Sequence, residues 1–314
     1  MDSANNLYSV GNKYNSATNS IDILIEKYDS SGNQLIFQFI PSNAGIDRGI
    51  DLAVDNHNNI YLTGYFFNSQ TNSNDIITLA LDRYGNTRWQ KVLNNSGDDK
   101  GMGISVKLDQ LGNASEVYIT GYITSEFTGK DFFVTKFNAL NGDSIWQQTY
   151  SAGRYDDIAT DILIDPGHAY VIGYSYQGAQ RLNDIMFQSY DLISGYLDET
   201  IVDNRPGSDE KPTAFVITEI SANAVQKSRV SLTGVSESFV IGIQRRFLTM
   251  FLDPGTENSF KIRWFKYFSN CSFCRSDMAT SISTDISGDV YVSGYVYNFD
   301  NFFQSNGLDF ATIK

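Results

Sequence analysis

The sequence predicts an all-β protein, a β-propeller of four-stranded antiparallel blades. Three observations predict it. A short motif ending in glycine recurs six times at near-constant spacing, each interval holds four strand-length stretches, and Asp, Asn and Gly punctuate the gaps between them. The copies are Tyr8-Ser-Val-Gly11, Tyr61-Leu-Thr-Gly64, Tyr118-Ile-Thr-Gly121, Tyr170-Val-Ile-Gly173, Ser231-Leu-Thr-Gly234 and Tyr291-Val-Ser-Gly294, with starts 53, 57, 52, 61 and 60 residues apart. A unit of that size made of short strands cannot bury its own faces and must stack on its neighbours, as a propeller blade does.

Alternation and β-branched content place the strands. The first strand of each repeat, a, is expected at Ile50–Asp55, Ile104–Asp109, Thr160–Asp165, Ala214–Ile220 and Thr280–Asp285. Strand b carries the glycine motif. Strand c is expected at Ile21–Tyr28, Asp75–Asp82, Asp131–Asn138, Asp184–Asp191, Phe239–Leu252 and Asp309–Lys314, and strand d at Leu35–Ile40, Arg88–Leu93, Ile145–Tyr150, Glu199–Asp203 and Arg263–Phe268. The a–b gaps, such as Asp55-Asn-His-Asn-Asn59 and Asp109-Gln-Leu-Gly-Asn113, and the c–d gaps, such as Asp82-Arg-Tyr-Gly-Asn86, pair an Asp that can bond its own turn with a Gly or Asn able to take φ > 0. One domain over 1–314 is expected, with blades at about 1–49, 50–103, 104–159, 160–212, 213–279 and 280–314. The count is 22 strands, so either two blades are three-stranded or residues are missing; a seven-bladed ring of 28 would need roughly 80 further residues, and the chain is expected to be part of a longer protein.

The balance of 23 Lys and Arg against 36 Asp and Glu, a net charge of −13, argues against a nucleic-acid partner, whose phosphates would be repelled. No stretch reaches the apolar length of a membrane helix.

Taken together, a strand ending in Asp, Gly-Asn, Tyr-x-x-Gly, an Asp before an apolar strand, Asp-x-x-Gly and then a Trp resemble the bacterial repeat family named for seven-bladed β-propellers. They are similar, more distantly, to pyrroloquinoline-quinone enzyme repeats. The resemblance covers nearly the whole chain and is best around 50–160; the fifth repeat departs, with Ser231 for Tyr and no Asp before strand c. It implies a propeller on a secreted or surface protein of a bacterium and no shared catalytic activity. Leu81-Asp-Arg-Tyr-Gly-Asn-Thr-Arg-Trp89 is also similar to the Asp-box turn of sialidase propellers, with one residue more between Asp and Gly; Arg48, Arg154 and Arg275 only faintly match that family's arginine cluster.

Binding residues are expected where the b–c and d–a connections emerge. The b–c segments Tyr65–Asn74, Tyr122–Lys130, Tyr174–Asn183 and Tyr295–Leu308 read as long aromatic loops, carrying Tyr65, Phe66, Tyr122, Tyr174, Tyr176, Tyr297, Phe299 and Phe302 as candidates for a sugar ring or a protein hot spot. The repeated tyrosines also suit packing between blades, as do Trp89, Trp146 and Trp264. Acids recur in the d–a connections: Asp47, Asp98 with Asp99, Asp156 with Asp157, Asp209 with Glu210, and Asp277. Asp47, Asp99, Asp157 and Asp277 are thus candidates for a cationic ligand or a Ca²⁺ cofactor, although recurrence once per blade favours a capping role.

His57 and His168 are the only histidines and both fall in a–b turns, which disfavours a Ser-His-Asp mechanism or a multi-His zinc site. Cys271 and Cys274 lack further ligands for zinc, and in an exported protein a local disulfide is expected. The reading is a non-catalytic extracellular module binding a protein or glycan, itself part of a larger chain or surface assembly. The alternative is a carbohydrate-active enzyme, a glycoside hydrolase or lyase, using a carboxylate pair on the same face.

Overall fold

Alternating and β-branched runs bounded by Asp, Asn and Gly turns fold as antiparallel sheets, and the described residues form twenty-two strands in six of them. The computed structural model describes residues 2, 4–40, 45–95, 97–176, 178, 182–203, 208–222, 225–238, 244–254, 260–268, 277–285, 287–299 and 305–314. For 219–222, 225–227, 238, 244, 245, 247, 254, 263–265, 297–299 and 305–311 it describes the backbone alone.

Order in space follows order in sequence within every sheet. The first sheet holds β1 (Leu7–Asn15), β2 (Ser20–Tyr28) and β3 (Gln34–Ile40). The second holds β4 (Arg48–Val54), β5 (Ile60–Asn68), β6 (Ser73–Leu81) and β7 (Thr87–Leu93), and the third β8 (Lys100–Leu108), β9 (Ala114–Ser125), β10 (Gly129–Asn138) and β11 (Ser144–Tyr150). The fourth holds β12 (Asp157–Ile164), β13 (His168–Tyr176), β14 (Asn183–Asp191) and β15 (Leu197–Val202). The fifth holds β16 (Ser208–Ala222), β17 (Val225–Ser238), β18 (Gln244–Pro254) and β19 (Phe260–Phe268), and the sixth β20 (Met278–Thr284), β21 (Val290–Phe299) and β22 (Ser305–Ile313). Five a, six b, six c and five d strands are those the sequence predicts.

The chain divides into two compact units, Met1–Ile164 with Leu192–Tyr196, and Asp165–Asp191 with Leu197–Lys314. In the first, β4 packs on β1, β8 on β4 and β5, and β12 on β8 and β9; in the second, β16 packs on β13 and β14, and β20 on β16 and β17. Apolar side chains fill the spaces so made. Ile23, Ile25, Ile60, Leu62 and Leu79 lie between the first two sheets, and Tyr61, Trp89, Val117, Ile119 and Phe133 between the second and third. Because both faces of a middle strand are covered, Ile60, Tyr61, Leu62 and Thr63 are all buried, whereas the outer β7 alternates. Trp89 packs against Tyr61 and Phe137 and donates from Nε1 to the Ala139 carbonyl at 2.9 Å, the inter-blade role expected of it.

Two predicted boundaries move. Strand a begins two to six residues early in each repeat, at Arg48, Lys100, Asp157, Ser208 and Met278. In four of the five a β-bulge lies there: β4 and β5 pair Arg48 with Tyr65 and Gly49 with Gly64, then Asp51 with Thr63, leaving Ile50 as the extra residue. Met102, Thr213 and Thr280 are the extra residues at the same place in β8, β16 and β20. The bulge breaks the alternation, so the sequence hides the first turn of the strand.

The long aromatic b–c loops are a correction. They are mostly strand: β5 runs on through Tyr65, Phe66 and Phe67, β9 through Tyr122, and β13 through Tyr174 and Tyr176. What remains between strands is short, closed by residues at positive φ such as Asn19, Asn72 and Gly129. The a–b and c–d turns are as expected: Asp55 accepts from the His57 and Asn59 amides, both at 2.9 Å, and Asp82 from those of Tyr84 and Asn86, both at 2.9 Å.

The bulge explains the motif glycine. A Cβ at Gly64 would strike the Arg48 carbonyl oxygen, one at Gly121 that of Lys100, and one at Gly234 that of Lys211. Gly11 sits on β1, at the edge of the first sheet among the described residues, and a Cβ there would meet nothing within 4 Å. Gly64→Ala and Gly121→Ala should therefore each cost about 1–3 kcal/mol. Gly11→Ala should stay within about 0.5 kcal/mol. Urea unfolding of the three variants checks this, and equal losses at all three positions would remove the bulge as the reason for the motif.

Candidate functional site

The b–c turns and d–a links of each sheet share one end, and the acids of the d–a links come together there with the residues that follow the motif glycine. Asp47, Asp99, Asp157 and Asp277 are all at most 1% exposed. Asp47 Oδ1 accepts from the Phe67 amide at 3.0 Å. Asp99 accepts from the Thr124 amide at 2.7 Å and, with its other oxygen, from the Asn95 amide at 2.6 Å, while its own N–H donates to the Asn74 carbonyl at 2.8 Å. Asp157 Oδ2 accepts from the Ala152 amide at 2.7 Å. In three links a second acid clips the start of a strand c: Asp98 Oδ1 accepts from the Asn74 amide at 2.9 Å, Asp156 Oδ1 from that of Lys130 at 3.1 Å, and Asp209 Oδ1 from that of Asn183 at 3.0 Å. These carboxylates hold backbone in place. Burial raises Asp99 to about 6, against the two amides that lower it and with help from Asp75 and Asp98.

Directly after the capping acid stands a cation in three repeats, Arg48, Lys100 and Lys211. Arg48 is paired across the sheet with Tyr65, and Lys100 with Tyr122. Lys100 also reaches the preceding sheet, with Nζ 4.4 Å from the Tyr65 ring centroid, and Lys130 Nζ lies 5.0 Å from that of Tyr122. Arg48, Lys100, Tyr65, Phe67 and Asn74 line a cavity of about 400 Å³ in the first unit. In the second unit Lys211 repeats the pattern over Tyr174, at 5.4 Å.

Of the other predicted aromatics, Phe66 packs on the core between the first two sheets, Tyr122 is buried and Tyr176 is half-buried. The side chains of Tyr297 and Phe299, and all of Phe302, Cys271 and Cys274, lie outside the described residues, and so does the Trp264 side chain. Two aromatics that the sequence reading passed over are open to solvent at this end: Phe127, 85% exposed in the turn between β9 and β10, and Tyr155, 50% exposed in the link before β12. Lys100 and Lys130 were also passed over. The signal for the first is its place beside a capping acid, shared with Arg48 and Lys211.

Elsewhere, Asp165 closes its own turn, accepting from the His168 amide at 2.7 Å, Tyr170 Oη at 2.7 Å and Ser228 Oγ at 2.6 Å. Its hydrogen bond raises His168 above the ordinary imidazole range. Ser228 thus bonds the carboxylate, and the three residues are arranged as a turn clasp. Four residues after the capping acids stand Asp51, Gly103 and Asp161 on β4, β8 and β12. Asp51 Oδ2 accepts from the Ile104 amide at 2.9 Å, and a Cβ on Gly103 would lie 2.9 Å from Asp161 Cα. Burial, reinforced by Asp51, raises Asp161 to about 7, and burial raises Asp51 as well.

No family model and no curated protein sequence matches the chain. Among solved structures, quinohemoprotein alcohol dehydrogenase from Comamonas testosteroni is similar at 12% identity and a TM-score of 0.51, over 85% of this chain and 42% of that one. The fold is a β-propeller. The chain thus spans less than half the length of that dehydrogenase, and the likeness concerns fold alone. The Dos1 propeller is similar at 12% identity over 93% of this chain and 80% of that one, TM-score 0.46, and the periplasmic gluconolactonase PpgL of Pseudomonas aeruginosa at 11% over 98% and 99%, TM-score 0.37.

A carboxyl raised in the folded state binds its proton more tightly there than in the unfolded chain. The stability it contributes is complete below the ordinary carboxylate range and is lost as pH rises through about 7 for Asp161. The raised Asp99 and His168 act in the same direction. The melting temperature should fall between about pH 5 and pH 8, and Asp161→Asn should flatten that fall and raise the value at pH 8. Calorimetry across that range checks it; an unchanged slope in the variant would mean Asp161 titrates normally.

Proposed function

We propose that the chain is a non-catalytic binding module of an exported protein, taking a protein or glycan partner on the b–c and d–a end of its sheets. The observation that supports it most is Asp99. A carboxyl acting as acid or base must reach the substrate, and both oxygens of Asp99 are engaged by amides within a side chain that is 0% exposed. Cations and aromatics, by contrast, reach the surface at the same end.

One observation favours the enzyme alternative. Burial, helped by Asp75 and Asp98, raises Asp99 to about 6, and a carboxyl so raised suits general acid chemistry. Incubation with a polysaccharide panel, followed by reducing-end and unsaturated-product assays, decides between the two. The module reading expects no turnover, and expects Phe127→Ala and Tyr155→Ala each to weaken partner binding by about fivefold without lowering the melting temperature. Turnover abolished by Asp99→Asn in a folded protein would establish the enzyme instead.

A further inference from the structure

The proposed binding role leaves the chemistry of the ligand open, and the first unit narrows it. The protein carries 36 acids and 23 Lys and Arg, yet three cations converge at the loop end of its second and third sheets. They alternate with rings: Arg48 beside Tyr65, Lys100 over Tyr65 and beside Tyr122, Lys130 over Tyr122. Lys130 is paired with Asp156 at 3.5 Å. Arg48 and Lys100 have no ion-pair partner among the described residues, although acids surround them. The acids nearby are held by backbone amides: Asp47 by Phe67, Asp98 by Asn74 and Asp99 by Thr124 and Asn95. The Lys100 ammonium is pushed below its ordinary range by burial first, and then by Lys130 and Arg48, with Asp98 opposing.

We propose that the 400 Å³ cavity bearing Arg48 and Lys100 binds the carboxylate groups of an acidic polysaccharide built of uronate-type sugars. This rests on the reading that the loop end is the binding surface. A bound anion would relieve the mutual repulsion of the two cations, and the guanidinium fork matches a carboxylate bidentately. The remaining wall, Gly45, Ile46, Tyr65, Phe67 and Asn74, is mostly apolar and suits the face of a sugar ring. Phe127 and Tyr155, exposed near Lys130, offer further ring faces for a longer chain. An acidic peptide is less well served, because peptides dock by adding to a strand edge or lying in a groove and this end presents turns.

The test is titration calorimetry of the intact chain against polygalacturonate, its fully methyl-esterified form, dextran and a poly-glutamate peptide. Esterification keeps the ring and removes the charge. Polygalacturonate should bind, the ester at least about tenfold more weakly, and the affinity should drop as NaCl rises from about 50 to 500 mM. Arg48→Gln and Lys100→Gln should each weaken binding by at least about fivefold with the melting temperature unchanged. Lys107→Gln, a lysine paired with Glu116 at 3.8 Å, should bind as the parent does. Equal binding of the ester, or indifference to both Arg48→Gln and Lys100→Gln, overturns the anionic ligand while leaving the binding module in place. Tighter binding of poly-glutamate overturns it in favour of an acidic protein partner. Silence from all four probes overturns it too, and the module is then judged separately by its Phe127 and Tyr155 variants.

Discussion

A carboxylate taken out of water at the junction of two sheets must find hydrogen bonds there or cost several kcal/mol, roughly the margin by which a domain is stable at all. Asp99 shows how this chain meets the demand. Its backbone N–H bonds the second sheet at Asn74, one side-chain oxygen bonds the link at Asn95, and the other bonds the third sheet at Thr124. One residue therefore ties the end of one repeat, the connection and the start of the next. Asp47 and Asp157 hold the corresponding backbone in their own repeats. The rise of Asp99 to about 6 shows that two amide donors do not fully offset burial. The arrangement is retained because the backbone amides at the junction have to be satisfied by something.

Everything next to that acid inherits its position. The residue after it begins strand a, the bulge three residues on turns its carbonyl against strand b, and only glycine leaves room for the approach. The repeat's most conspicuous sequence feature is thus a steric consequence of its least conspicuous one. The same geometry sets the side chains after the acid and after the glycine opposite each other, which is why Arg48 meets Tyr65 and Lys100 meets Tyr122. A scaffold constraint has produced an alternating row of cations and rings.

Much of this was legible in the sequence, for identifiable reasons. Strand number and sheet order follow from alternation and from Asp-to-Gly turns that are local in their chemistry, as the Asp55 and Asp82 turns demonstrate. The bulge at Ile50 was not legible, since an extra residue in a strand looks like a loop when only periodicity is read. For the same reason the aromatic stretch after Gly64 looks like a loop, although Tyr65 to Phe67 continue β5 to a tight turn at Asn72. The acids were visible as a repeated position, but whether such a position faces solvent or backbone depends on pairings about 25 residues away, as between Asp99 and Thr124. Lys100 could be found only by its place after a capping acid, because the ring it meets belongs to the previous repeat.

The charge distribution follows from the same geometry. A protein of −13 tends to neutralise its cations on its own surface, and Lys107 and Lys130 are neutralised in that way, by Glu116 and Asp156. Arg48 and Lys100 have no such partner among the described residues, and Asp47 and Asp99, the acids directly before them, are buried against backbone amides. Capping therefore does two things at once. It turns the carboxylates of Asp47 and Asp99 inward, and it sets Arg48 and Lys100 on strands beside aromatic rings. An anionic ligand arriving there meets cations whose backbone is already held in paired strands, so that part of the entropic cost of binding is met by the fold.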